Sequence, residues 1–202
     1  MKQRTTTVGK RLVIKSRFLV FKYRVIKSSN MIRMSATSKI GFGGSCHWCT
    51  EAIFQSLKGV IHVSQGWIAP EDSTAEFSEA VLVEFHPDLI SLENLIEIHL
   101  HTHNCTSEHS MRSKYRSAVY TFHKDQVMTA KQAIEKLQID FGQLIITKVI
   151  PFKSFRLNNE KYLDYYYKNP DKPFCKTFIE PKLKILLSRF SKFLNNNKPE
   201  ID

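Results

Sequence analysis

The sequence predicts a single α/β (α+β) domain, a mixed sheet covered by helices. Segments of β-branched or alternating apolar residues take turns with segments of helical period along the whole chain. No internal repeat interrupts that alternation. The 202 residues, 42% hydrophobic and 24% charged, suit a globular chain with one sizeable core. No stretch reaches the roughly 18 apolar residues of a membrane span, so no membrane association is expected.

The elements follow in order. Residues 38–42 read as a first strand, punctuated by glycine. A helix is expected over residues 50–58, with Gly59 at its C-terminal cap. Residues 60–68 are β-branched and end in the loop Ala69-Pro70-Glu71-Asp72-Ser73. Residues 78–85 alternate, with Ala80, Leu82 and Glu84 on one face and Glu79, Val81, Val83 and Phe85 on the other; Pro87 closes the strand. Ser91 can cap a helix carrying Leu92, Leu95 and Ile96. Residues 104–114 form a polar loop, 115–122 a strand, 125–137 an amphipathic helix and 144–150 a strand that 152–157 could extend. Residues 160–168 are aromatic and helical, Asn169-Pro170 break them, and 181–194 form a basic amphipathic helix. Its Lys182, Lys184, Arg189 and Lys192 are expected on a solvated face.

Charge is unevenly placed. Of the 30 Lys and Arg, eleven fall before residue 40, where there is no acid; the remainder balances the 19 Asp and Glu. The high pI therefore belongs to the leader and not to the body, which argues against a nucleic-acid-binding domain. Residues 1–36 are expected to be a basic, unstructured leader, either transit-like or a mis-assigned start with Met31 or Met34 as the true initiator. Residues 37–202 form the domain. A cytoplasmic location is expected, or organellar import if the leader is a genuine transit segment. Four cysteines (46, 49, 105 and 175) are too few and too unevenly spaced for a disulfide scaffold.

The chemistry concentrates at Gly43-Gly44-Ser45-Cys46-His47-Trp48-Cys49-Thr50-Glu51. A strand, a glycine turn and a helix place Cys46 at a helix N-terminus. Unpaired N–H groups and the positive end of the helix dipole there favour thiolate over thiol. Cys49 lies about one turn further on and reads equally as a core residue or a second redox thiol. By default Glu79 would be a solvent-facing carboxylate, and Tyr115 and Trp48 core aromatics. His99, His101, His103, Cys105 and His109 cluster conspicuously. With Cys46 and Cys49 they could offer zinc ligands, but a helix turns His101 away from His99 and His103, and no second Cys-x-x-Cys follows.

These residues resemble the class A peptide methionine sulfoxide reductases. That family's signature, Gly-Cys-Phe-Trp continuing as Cys-Thr-Glu-Ala to Leu-x-Gly-Val, stands here as Ser45-Cys46-His47-Trp48-Cys49-Thr50-Glu51-Ala52 and Leu57-Lys58-Gly59-Val60. Residues 78–87 are similar to its Ala-Glu-Val-Val strand ending Phe-Asp-Pro. His103 and Thr106 fit its His-Asp-Pro-Thr, residues 115–120 its Tyr-Arg-Ser strand, and residues 165–182 the tail of one branch. Five motifs in one order cover residues 39–190.

The resemblance implies the family's two-layer, ferredoxin-like sandwich and reduction of methionine-S-sulfoxide, free or in oxidised proteins. No metal or organic cofactor is implied. Cys46 would attack the sulfoxide sulfur and become a sulfenic acid. Glu79 would be a neutral acid serving the oxygen, with Tyr115 holding the same atom. Trp48 would wall the substrate methyl, worth about 0.3–1.5 kcal/mol in sulfur–aromatic contact. A resolving thiol would form a disulfide for a thioredoxin-type donor to reduce. Cys175, after a proline-rich loop and expected to be mobile, is preferred slightly over Cys49. His47 replaces the family's Phe, the loop at residues 66–77 lacks its second tyrosine, and Ser110 stands nearest its loop Asp. His47 and His109 are candidates to replace the lost donors. The alternatives are another thiol–disulfide oxidoreductase using Cys46 and Cys49, or a non-catalytic zinc-binding interaction module.

Overall fold

The computed structural model describes residues 36–70 and 77–195, all within the compact unit Met34–Asp202. Residues 1–35 of the expected leader and residues 71–76 of the loop after the second strand lie outside them. Among the described residues no helix is long and apolar enough to cross a membrane.

Five strands form one mixed sheet: β1 (Ser38–Gly43), β2 (Val60–Pro70), β3 (Ser78–Phe85), β4 (Ala118–Thr121) and β5 (Lys148–Leu157). Their order is β1-β3-β2-β5-β4, and β4 pairs back on β1, so the sheet closes into a small barrel. Every pairing is antiparallel except β4 with β5. Mixed sheet and covering helices are as the sequence predicts; the closure adds to that picture.

The alternation in β3 divides two cores. Ala80 joins Ile68, Ala118 and Tyr120 inside the barrel, with Leu82, Ile150, Phe152 and Phe155 packed around them. Val81, Val83 and Phe85 face outward with Ile40, Phe42 and Val119 into the larger core beneath the helices. Glu79 shares the parity of Val81, so it also lies on the helix-covered face. Phe42 stacks on Phe54 of the first helix with centroids 4.5 Å apart, worth about 0.5–1.5 kcal/mol beyond area burial.

Helices α1 (His47–Gln55), α2 (Leu92–Thr102), α3 (Lys124–Leu137), α4 (Tyr165–Lys168) and α5 (Glu180–Phe190) complete the fold. Ser91 caps α2 as expected, its side chain accepting from Asn94 N at 3.2 Å. Elsewhere local hydrogen bonds move the boundaries. Helix α1 starts early because Thr50 N already bonds to Cys46 O at 3.1 Å. It stops at Gln55 because Lys58 N is taken by Phe193 O at 2.7 Å. The fourth strand is shorter than expected: Arg116 N donates to Ser78 Oγ at 2.8 Å and Tyr115 N to Met111 O at 2.9 Å. The fifth begins late because Ile145 N goes to Gln138 Oε1 and Ile146 N to Cys105 O. The aromatic stretch splits at Asp164, whose φ of 54° is left-handed. A π-helical turn, Cys175–Ile179, precedes α5.

Gly66, in β2 between Gln65 and Trp67, has no room for a side chain. A Cβ there would collide with the Arg156 carbonyl and the Phe155 ring of β5. Gly66→Ala should therefore part β2 from β5 and destabilise the domain by about 1–3 kcal/mol, read as a lowered urea midpoint.

Candidate functional site

The turn before α1 is set by two glycines and two histidines. Gly44 has φ 133°, and a Cβ there would meet the His103 ring at 2.7 Å. The His99 Nε2–H donates to Gly43 O at 2.9 Å, and His103 Nδ1–H donates to His99 O at 2.6 Å. Because both carbonyls can only accept, these contacts fix one neutral tautomer on each ring. His103 Nε2 then accepts from Ser117 Oγ at 2.8 Å. The two rings stack with centroids 4.0 Å apart. Burial drives the His103 pKa down to about 3 and that of His99 well below the usual range. These histidines build the turn with their ring nitrogens. His101 sits apart, stacked on Phe141 and hydrogen-bonded to Arg189 at 3.2 Å. Among the described residues no group of three or more His, Cys, Asp or Glu is placed to hold a metal.

The turn delivers half-buried Cys46 to the N-cap of α1. A cavity of about 660 Å3 opens there. Cys46, His47, Trp48, Cys49, Glu79 and Tyr115 all line it, so six of the seven residues singled out in the sequence come together. Glu79 is buried, 4% exposed, and its Oε2 accepts from His47 N at 3.0 Å. The first turn of α1 is thereby tied to β3.

Cys175 is the exception. It is fully buried in the core, its thiol donating to Asn169 O at 3.5 Å, and it does not line the cavity. The expectation of a mobile, exposed thiol is therefore corrected. The Pro-rich loop before it leads into the packed π-helical turn.

The two cavity thiols influence each other's titration. Cys46 is pushed up by its bond to Cys49, then by burial and by the charges on Cys49 and Glu79; the Trp48 N–H opposes. Cys49 is held below the usual thiol range by the Cys46 hydrogen bond. Lys182 and Ser45 add to that effect, against burial and Glu79. The helix N-terminus favours anionic sulfur at Cys46, and the Cys49 thiol donates to Phe178 O at 3.8 Å. Glu79 is also met by a cation: Lys114 Nζ lies 3.3 Å from its Oε1. Lys114 Nζ also lies over the Tyr115 ring, 5.1 Å from its centroid, and its contacts with Tyr115 and Glu79 raise its pKa.

His47 is buried and its pKa is lowered, first by desolvation. Asn158 Nδ2 reaches its Nε2 at 3.2 Å, leaving Nδ1 3.4 Å from Glu79 Oε2. Trp48 lies flat on Tyr165 at 4.0 Å with Phe174 edge-on at 5.3 Å, and its Nε1 is buried without a partner. His109 is exposed at the rim. Ser45, Lys114, Asn158, Tyr162 and Lys182 also line the cavity and were not singled out as site residues. The position of Lys114 beside Tyr115 was a usable signal. Lys182 had none, since it reads as one more cation of a solvated helix face, and the structure corrects that reading.

The model of the peptide methionine sulfoxide reductases matches residues 38–193. The chain belongs to that family. A curated peptide methionine sulfoxide reductase from Psychrobacter sp. is 35% identical over 75% of this chain and 95% of its own length. Reduced Mxr1 from Saccharomyces cerevisiae has 22% identity and a TM-score of 0.62 over 70% of this chain and 91% of that one. Mxr1 in complex with Trx2 has 20% identity and a TM-score of 0.52 over 65% and 89%. The likeness to these solved structures concerns the fold. The match to the family model spans every cavity residue named above.

The buried histidines of the turn make the domain acid-sensitive. Their folded pKa values lie below the unfolded value of 6.5, so protons bind the unfolded chain first as pH falls. Stability should be full above about 6.5 and decline below it, by up to about 1.4 kcal/mol per pH unit for each ring. Urea titrations from neutral pH down to about pH 4 read this slope, and a flat profile would refute it.

Proposed function

We propose that the chain reduces methionine-S-sulfoxide, free or in oxidised proteins, to methionine, with Cys46 as nucleophile. The carrying observation is that the half-buried Cys46 and the buried Glu79 carboxyl line one cavity, joined through the His47 N–H. The Cys46 sulfur attacks the sulfoxide sulfur. Oxygen passes to Cys46 as a sulfenic acid, a proton reaches it from the oxygen side, and the thioether leaves as methionine. Glu79, Lys114 and Tyr115 form that side, a cation and a hydroxyl facing the developing charge. Trp48, backed by Tyr165 and Phe174, walls the methyl group.

Cys49 lines the same cavity as Cys46 and acts as the resolving thiol, and the resulting disulfide is reduced by a thioredoxin-type dithiol. The complex of yeast Mxr1 with Trx2 supports such a partner. Thiols supply the electrons throughout, so no metal or organic cofactor is required. Residues 37–202 are the catalytic domain, supported by the family match from residue 38. A cytoplasmic location fits the need for a reducing dithiol. The paired thiols also suit a general thiol–disulfide oxidoreductase, which would reduce insulin disulfides and leave the sulfoxide untouched.

With dithiothreitol, the wild-type protein should turn over the S epimer of methionine sulfoxide and not the R epimer. Cys46→Ser should abolish the reaction and Cys175→Ser should retain multiple turnover. Lys114→Met should lower kcat by about 100-fold, since it strips the cation from the oxygen side. Turnover of neither epimer, or full activity in Cys46→Ser, would refute the proposal.

A further inference from the structure

Arg112 is half-buried in the loop between α2 and β4, and its guanidinium makes five hydrogen bonds, all to main-chain carbonyls. Nη1 donates to Gly44 O at 3.2 Å and to Tyr115 O at 3.1 Å. Nε donates to Ser107 O at 2.9 Å, and Nη2 donates to Asn104 O and Ser107 O. Five contacts match the five N–H groups that a guanidinium carries. One nitrogen thus joins the carbonyl two residues before Cys46 to the carbonyl of Tyr115. The other two fasten the start of the loop.

Two walls of the cavity meet across this fork. The Cys46 turn is held from one side, where His99 donates to Gly43 O at 2.9 Å and Glu79 accepts from His47 N at 3.0 Å. The loop is held from β3. Lys114 O accepts from Glu79 N and from Ser78 Oγ, each at 2.8 Å, and Arg116 N donates to Ser78 Oγ at 2.8 Å. The same loop brings Met111, Lys114 and Tyr115 to the cavity. Arg112 itself does not line the cavity. Ser110 stands nearest the family's loop Asp, so this loop is anchored without that acid.

We propose that Arg112 is a positioning residue of the reductase: its guanidinium sets the gap between the Cys46 turn and the Lys114–Tyr115 wall, so that the sulfur and the proton-delivering side address one sulfoxide together. This rests on the reductase chemistry proposed above. Arg112 acts through Gly44 and Tyr115. Attack and proton delivery come from different segments of the chain, and their spacing is set where those segments are joined. A misplacement of about 1 Å can cost about 100-fold in rate. Lysine is no substitute, because three donors on one nitrogen cannot span carbonyls on two segments. The methyl wall, Trp48 backed by Tyr165 and Phe174, stands on other elements, so substrate affinity survives the loss of Arg112. The Cys46 turn survives it too, since His99 and Glu79 hold that turn independently.

The test measures kcat and KM on methionine-S-sulfoxide with dithiothreitol in wild type, Arg112→Lys, Arg112→Ala, Lys114→Met and the double variant Arg112→Ala with Lys114→Met. The rate at which iodoacetamide alkylates Cys46, read by peptide mapping, is followed in each. In both Arg112 variants kcat should fall by about 10–100-fold with KM little changed, and Cys46 should be alkylated at the wild-type rate. In the double variant the loss should stay well short of the product of the single losses, because both changes act on one wall. Wild-type kcat in both Arg112 variants, losses that multiply in the double variant, or a slowing of alkylation equal to the fall in kcat would overturn the proposal. Arg112→Lys replaces Arg112→Ala throughout, double variant included, if the alanine protein does not fold. A wild-type protein that forms no methionine defeats the reductase reading, whereas an active wild type with unimpaired Arg112 variants defeats the positioning role alone.

Discussion

A buried carboxyl and a cation meet at contact range inside the cavity, and the rest of the site is arranged around that pair. Glu79 faces Lys114 at 3.3 Å. Lys182, on the same cavity's lining as Cys46 and Cys49, donates to Thr102 O at 2.6 Å and to Ser45 Oγ at 3.3 Å. An unpaired charge in such a place would neutralise itself by shifting its pKa or would unfold the region around it. The His47 N–H bonded to Glu79 ties that pair to the start of the helix that Cys46 caps.

The C-terminal segment holds this arrangement from outside. Glu51, 2% exposed, accepts from Asp164 N at 3.0 Å, Tyr165 N at 3.3 Å and Gln65 Nε2 at 2.7 Å. One carboxyl on α1 thereby pins the left-handed turn at Asp164 and the start of α4. Gln55 adds a bond to Asp164 Oδ1 at 2.7 Å, and Ser56 pairs with Tyr167 Oη at 2.7 Å. The strained turn at Asp164 is maintained by these contacts, and it lays Tyr165 flat on Trp48. The aromatic wall of the cavity is thus a consequence of a buried acid one helical turn beyond the reactive cysteine.

Much of this was legible in the residues alone. Alternation in the third strand put Glu79 on the face of Val81, and glycines followed by a helical pattern put Cys46 at a helix start. Both are local signals, because period and turn chemistry are written in neighbouring residues. What the sequence hid was long-range pairing. Lys182 and Cys46 are 136 positions apart by their numbering, and nothing in a basic amphipathic helix marks which lysine turns inward. Cys175 misled for the same reason. Proline-rich neighbours suggest a loose loop, yet Cys175, Ile179, Leu183 and Leu186 form one buried stripe that pulls the segment into the core.

The departures from the family signature belong together. Replacing an aromatic ring with His47 would leave a polar edge in the substrate wall if the imidazole were free. It is not free: Asn158 takes Nε2, and Nδ1 faces Glu79 at 3.4 Å. Gln65 in turn holds Asn158 at 2.7 Å and Glu51 at 2.7 Å. The ring is therefore locked, neutral and edge-on to Trp67 at 5.7 Å and to Trp48 at 5.8 Å. Its Nε2 belongs to a network running through Asn158 and Gln65 to Glu51 and the C-terminal segment. Lys114 adds a cation to the same end of the cavity, 3.3 Å from Glu79 Oε1 and over the Tyr115 ring.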